Sequence, residues 1–327
     1  MNFLRKAIII GIAPIFLSFS AIAEVKVVTT IKPVHSLVSG VMDGVSNPTL
    51  IIEGSNNPHN FSLKPSHAKM LEEADIVFWI GEDLESFMEK PLSSLAKDAV
   101  KISFMDLPSI KKLKFREKNI FDDHDHDGHK EDDHDDHGHD DHDGHEDEHE
   151  GHDDHGHHHG EFDAHIWLDP SNAIEMVLEI SHELSEIDPD NAAKYEQNAD
   201  KMVASLKNLI SEVDSTISKD ASFVVFHDAY QYFENRFGVS SAGALTLNPD
   251  VLPGAKQIDA IQDLIQDDNI KCIFSEPQYN PKIIETLAAD MNISTGVMDP
   301  LGAFIDQGPE MYNQLILNIA NSLKECS

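Results

Sequence analysis

The chain has 327 residues, 40% hydrophobic and 25% charged, and its 59 acidic residues against 24 basic ones leave a formal charge of −35 at pH 7. That charge opposes encounter with nucleic acid or an anionic lipid surface and makes cations the natural ligands. The length and apolar fraction suffice for one large or two ordinary domains with cores of their own, and two is the expected number.

Taken in chain order, Arg5 and Lys6 precede an apolar run from Ala7 to Phe19, and Ala21-Ile22-Ala23 has the small-x-small form of a signal-peptidase site. Residues 1–23 therefore read as a signal peptide cleaved after Ala23, the run being short for a span of about 20 residues. No cysteine follows the cleavage site to accept a lipid, so a soluble periplasmic protein without direct membrane insertion is expected.

From Glu24 to Leu107 short apolar runs alternate with helical ones: VKVVTTI, HSLVSGVM, TLIIE, PSHAKMLEEA, DIVFWIG, DLESFMEKPLSSLA and AVKISF. Strands separated by helices predict right-handed βαβ units on a parallel sheet, hence an N-terminal α/β lobe over residues 24–186. Within it, residues 122–160 form a tract of another kind. From His124 to Gly160 it holds 14 of the chain's 20 histidines and 16 acidic residues against one lysine, with no large apolar side chain. Such a segment cannot bury a core and is expected to be disordered without metal. Its imidazoles are His124, His126, His129, His134, His137, His139, His142, His145, His149, His152, His155, His157, His158 and His159. They suit zinc, copper or nickel bound loosely at several places, not one pre-organised site. A solubilising spacer is the bland alternative, against which stand the near-regular H-x-x-H and D-H-G-H repeats.

After DAHIWLDP, residues Ser171 to Glu186 carry helical spacing, and DPDNAAKYEQNADKMVASLKNLISEVDSTISK predicts a long linking helix over 187–220. Asp188 is its expected N-cap and Pro189 its first residue, with Tyr195, Met202, Leu206, Leu209 and Val213 on one stripe. Its length, about 45 Å for some 30 residues, suits a rigid strut between lobes. Residues 221–327 resume the alternation with SFVVFHD, AYQYFENRFG, VSSAGALT, PGAKQIDAIQDLIQDD, IKCIFSEP, NPKIIETLAADM, STGVMDP and EMYNQLILNIANSLKEC. The fold class expected is α/β: two Rossmann-like lobes, each with a mainly parallel sheet, joined by one long helix, with ligand in the cleft between them. Cys272 and Cys326 are the two cysteines, and in an oxidising compartment they are expected to pair, pinning the last helix to the strand of Cys272. Two thiolate ligands are the alternative, without the close spacing thiolate zinc sites use.

Six histidines lie outside the tract. His59 in NNPHNFSLKPS, His165 in FDAHIWLDP and His227 in VVFHDAYQYF each fall at or just beyond the C-terminal end of a strand, where ligand groups gather in open α/β sheets. Three imidazoles on three segments would make a tetrahedral Zn²⁺ site with one position left over. Asp299 in VMDPLGA is the candidate for that position, with water as the alternative. His35 and Glu276 are candidates for orienting groups beside the cleft. His67 and His182 sit in helical patterns and are expected to face solvent, and Asp228 is expected to cap the helix that follows it.

Together these residues resemble the metal-specific solute-binding proteins of bacterial ABC importers, and among them the zinc members. The likeness covers essentially the whole mature chain: N-P-H-x-F around His59, H-x-W-L-x-P from His165 to Pro170, F-H-D-A-Y from Phe226 to Tyr230, E-P-Q from Glu276 to Gln278, and D-P-L-G from Asp299 to Gly302. The resemblance implies two lobes joined by one rigid helix, an ion held by His59, His165 and His227, and delivery to an inner-membrane permease with its ATPase subunit. In manganese-binding relatives the position of His227 is a carboxylate, so nitrogen here fits zinc. Some zinc members carry a glutamate directly before the first histidine, where this chain has Pro58. A non-enzymatic monomer is expected, with the tract as a low-affinity collector or sensor. A zinc hydrolase is the competing class, although no H-E-x-x-H is present and no glutamate adjoins a ligand as a base. A periplasmic metal buffer using the tract alone would leave the two lobes unexplained.

Overall fold

The structure is a computed structural model that describes residues 24–121, 160–249 and 251–326, so the signal-peptide and histidine-tract expectations lie outside the described residues. Among the described residues eight strands form two parallel four-stranded sheets, ordered β2-β1-β3-β4 and β6-β5-β7-β8. The first sheet contains β1 (Val27–Thr29), β2 (Thr49–Leu50), β3 (Ile76–Trp79) and β4 (Val100–Ser103). The second contains β5 (Phe223–His227), β6 (Gly243–Thr246), β7 (Cys272–Ser275) and β8 (Ser294–Val297). The central strands read as unbroken apolar runs, VVT, IVFW and FVVFH, because helices cover both faces of a parallel sheet. In each lobe the chain leaves the first strand in one direction and later returns to its other side, so a crevice opens between β1 and β3 and again between β5 and β7.

The helices of the first lobe are α1 (Lys32–Val41), α2 (Pro65–Glu72) and α3 (Glu89–Ser94). The helix expected through Asp83 to Ala96 is broken, with a 3-10 turn over Ser86–Met88 ahead of the short α3. Glu85 is the reason: its buried carboxylate turns back to accept from the Ile80 and Gly81 amides at 2.8 and 3.2 Å. Pro91, without an N–H, also weakens a continuous helix there. His67 does not face solvent as expected. It is buried, accepts from the Lys64 amide at 3.2 Å and stacks on Phe61, closing the first turn of α2.

Helix α4 spans Pro170–Ile187 and α5 spans Ala192–Thr216, 25 residues or about 37 Å, shorter than the 187–220 expected. The difference lies largely at Asp188, which ends α4 and does not cap α5. Its carboxylate accepts from Asn191 Nδ2 and Tyr195 Oη at 2.8 Å each, so Asp188 to Asn191 form a tight corner and α5 folds back along α4. Tyr195, Leu206, Leu209 and Val213 are buried on the expected stripe, with Met202 partly so. The second lobe adds α6 (Gln231–Phe237), α7 (Ala255–Asp267), α8 (Lys282–Met291) and α9 (Met311–Ser322).

The long helix is not the sole crossing between lobes. The chain leaves the first lobe after Ile110 and runs along the second, where Phe121 donates to the Ala242 carbonyl at 2.9 Å and Ala244 donates to Asn119 at 2.8 Å. This strap adds an antiparallel edge beside β6, close enough that a Cβ at Gly243 would lie 2.6 Å from the Asn119 carbonyl oxygen. Residues 160–163 return antiparallel to the strap, through Phe115 N to Glu161 O at 3.2 Å and Asp163 N to Leu113 O at 2.9 Å. Helix α9 packs on α1 and α5 of the other lobe, and one apolar cluster runs from Val28 through Trp167 to Tyr312 across the boundary.

Cys272 at the start of β7 is bonded to Cys326 just beyond α9, with Cα atoms 5.5 Å apart. The bridge closes a 54-residue span, and loop-closure entropy of that size corresponds to about 4 kcal/mol. The Cys272→Ala/Cys326→Ala double variant is expected to lose up to that amount, read as a lower midpoint in guanidinium unfolding against the oxidised wild type.

Candidate metal centre

The second sheet sets the floor of the site. β5 ends at His227 and β7 leads into Glu276, so the two side chains meet across the crevice, His227 Nδ1 lying 2.8 Å from Glu276 Oε1. The returning segment brings Asp163 and His165 to the same place, with His165 Nδ1 2.7 Å from Asp163 Oδ1, which also accepts from the His165 amide at 2.9 Å. Tyr232 Oη fixes this segment by donating to the Asp163 carbonyl at 2.7 Å while accepting from Leu113 N at 3.0 Å. His59 arrives from the first lobe, on a loop whose turn is made by Asn57 Oδ1 accepting from the His59 amide at 2.9 Å.

One ligand-capable atom from each of His59, His165 and His227 lies within 4.8 Å of the others, the one such group among the described residues. His165 and His227 are almost fully buried and His59 partly so. An ionised carboxylate can only accept, so in the neutral form of each ring the Nδ1 beside it carries the proton and Nε2 presents a lone pair. The Nε2 atoms of His165 and His227 stand 3.3 Å apart. That is about the nitrogen–nitrogen edge of a tetrahedron with 2.0–2.1 Å bonds. Two lone pairs facing each other at that distance in a buried pocket repel, and a cation placed between them turns the repulsion into two bonds. The walls are apolar or ring-bearing: Trp167 lies 5.2 Å from the His165 ring, and Tyr279 sits edge-on to His227 at 5.8 Å.

Comparison with known proteins bears on what such a centre serves. Residues 27–326 match the family model described as ZnuA, zinc-uptake complex component A, periplasmic. The chain belongs to that family. It is 48% identical over 303 residues to the high-affinity zinc uptake system protein ZnuA of Brucella abortus, covering 92% of this chain and 91% of the relative. The corresponding protein of Haemophilus ducreyi is 38% identical over 95% of this chain and 96% of its own length. The crystal structure of a ZnuA superposes with a TM-score of 0.70 at 22% identity, covering 92% of this chain and 99% of that one. The manganese complex of FpvC from Pseudomonas aeruginosa gives 0.71 at 18%, covering 93% and 100%. These two likenesses carry the fold of the family.

The residues expected from the sequence are distributed unevenly over the site. The three scattered histidines converge, and Glu276 stands behind one of them. His35 does not: buried in α1, it places Nε2 3.2 Å from the Pro48 carbonyl and lines a separate hollow, and burial lowers its imidazole below the ordinary value. Asp299 is engaged elsewhere, its oxygens accepting from Gln278 Nε2 at 3.0 Å and from the Leu301 and Ala303 amides at 3.0 and 2.5 Å. Asp228 caps nothing; it takes Arg116 Nη1 at 2.7 Å, while Nη2 reaches Glu234 at 2.6 Å. Asp163 was missed. The signal was in FDAHIW, an acid two residues before a histidine, but only the folded return segment turns both side chains to one another.

Removing Asp163 as Asp163→Ala frees the His165 ring to rotate and change tautomer. Loss of such a partner costs on the order of 10- to 100-fold in metal affinity. Competition titration with a zinc chelator checks this, and Asp163→Asn, which keeps an acceptor oxygen, is expected to lose less.

Proposed function

We propose that this chain captures Zn²⁺ between its lobes through His59, His165 and His227 and delivers it to the permease of a high-affinity zinc importer. The observation that carries the reading is the convergence of three imidazoles from three separate segments, two of them held by buried carboxylates. With neutral imidazoles bound, the ion's two positive charges are balanced by Asp163 and Glu276, so the loaded site is formally neutral in a setting where an unbalanced charge would be costly. Nitrogen donors without a converging carboxylate favour zinc over harder manganese.

The family is a periplasmic uptake component that works with an ABC permease and its ATPase, and the chain is a binding protein, not an enzyme. Among the described residues no helix is long and apolar enough to cross a membrane. Cleavage after Ala23, a monomeric state, and a collector or sensor role for residues 122–160 belong to the same proposal. The tract would raise the local zinc concentration near the cleft. A hydrolase would need a base on the Nε2 side of the ligands, whereas both buried carboxylates beside the histidines face Nδ1.

Deleting Asp122 to Gly160 is expected to leave one tight zinc site in calorimetry, and His59→Ala or His227→Ala to abolish it or weaken it at least 100-fold. Loss of tight binding on deletion would make the tract the primary site. Protons compete for the same imidazole lone pairs, so affinity is expected to fall from pH 7.5 to 5.5. An unchanged dissociation constant over that range contradicts three histidine ligands.

A further inference from the structure

We propose that Gln278 faces the fourth coordination position of the captured ion and presents its amide oxygen there, as acceptor for an ion-bound water. This rests on the three-histidine reading above and extends it to the position that three ligands leave over in a tetrahedral ion. Gln278 lines the same pocket as the three histidines, and Asp299 does not. Its Oε1 is buried and receives no hydrogen bond among the described residues.

The orientation of the amide follows from its neighbour. Asp299 takes the Leu301 and Ala303 amides and, at 3.0 Å, the Gln278 side chain. A carboxylate so placed accepts only, so the Gln278 NH₂ must face it and the oxygen must take the other side of the amide, toward the pocket. Asp299 is itself fixed. The loop it begins is clamped by buried Lys32 of α1, whose Nζ donates to the carbonyls of Gly302, Ala303 and Ile305 at 2.7, 3.1 and 2.5 Å. The residue expected as a ligand is thus an orienting group, and the glutamine two residues beyond Glu276 inherits the place.

Two other polar groups of the pocket wall are used differently. Trp167 Nε1 donates to the Pro300 carbonyl at 2.8 Å, and Glu276 lies at the Nδ1 edge of His227, behind the face that would meet the ion. An oxygen lone pair at the fourth position selects what can sit there. Water donates a proton to it, whereas an anion such as azide or chloride meets it as a repulsive partner. Gln278 therefore keeps the fourth ligand neutral and exchangeable, which suits an ion that must be given up again.

The test uses the full chain with Co²⁺ as visible probe, in wild type and Gln278→Leu, a variant of similar shape without the acceptor. Azide titrated against the cobalt form is expected to bind at least fivefold more tightly in Gln278→Leu, with zinc affinity lowered several-fold. Gln278→Glu checks the same position, and its cobalt form is expected to bind azide more weakly than wild type. Azide binding in Gln278→Leu within twofold of wild type overturns the proposal, whatever the zinc affinity does. If His59→Ala and His227→Ala bind zinc as wild type does, the three-histidine reading fails instead, so the two failures are distinguishable.

Discussion

Two imidazoles donating their Nδ1 protons to buried carboxylates are the interaction on which the rest of this structure depends. Each pair does three things together: it selects a tautomer, it locks a ring, and it stores a negative charge where a divalent cation will need one. Asp163 and His165 come from the segment bridged to the strap, His227 from the end of β5, and Glu276 from just beyond β7. A site with this much order before the ion arrives spends little binding free energy on arranging itself.

Holding the two pairs in register demands a stiff frame, and the contacts between lobes supply it. The apolar cluster is continuous across the boundary, and Tyr312, buried in α9, donates to the Trp167 carbonyl at 2.6 Å while its amide donates to Ser36 Oγ of α1 at 3.0 Å. Lys32 adds its three carbonyl contacts from the same helix. Interfaces built like a core resist wide opening, because separation would expose apolar surface and strand buried polar groups. His59, the partly exposed histidine of the cluster, sits on a loop, while the other two belong to the frame.

The parallel sheets and most helices were legible in the sequence because their signals are local. Apolar runs such as VVFH and IVFW have no solvated face to hide, and turn residues separate them cleanly from helical stripes. The misreadings share a physical cause. Asp188 and Asp228 each stand where a helix cap is reasonable, and each is instead claimed by a partner far away in sequence or by a local turn of unexpected shape. A carboxylate has several acceptor positions and no fixed preference among donors, so its role depends on which donor the fold brings within reach.

Residue identity and order determined that this chain handles cations, that it is built from two α/β lobes, and that His59, His165 and His227 stand apart as single histidines while 14 others crowd one apolar-poor tract. These follow from charge, periodicity and composition, which need no knowledge of distant neighbours. Only the tertiary structure decided that His35 stands aside, that Asp299 is taken by the Leu301 and Ala303 amides and the Gln278 side chain, and that Asp163 and Glu276 lie against the rings of His165 and His227. Each of those assignments is a contact between segments far apart in the chain or a side-chain direction, and such contacts are set by packing, which no single stretch of sequence contains.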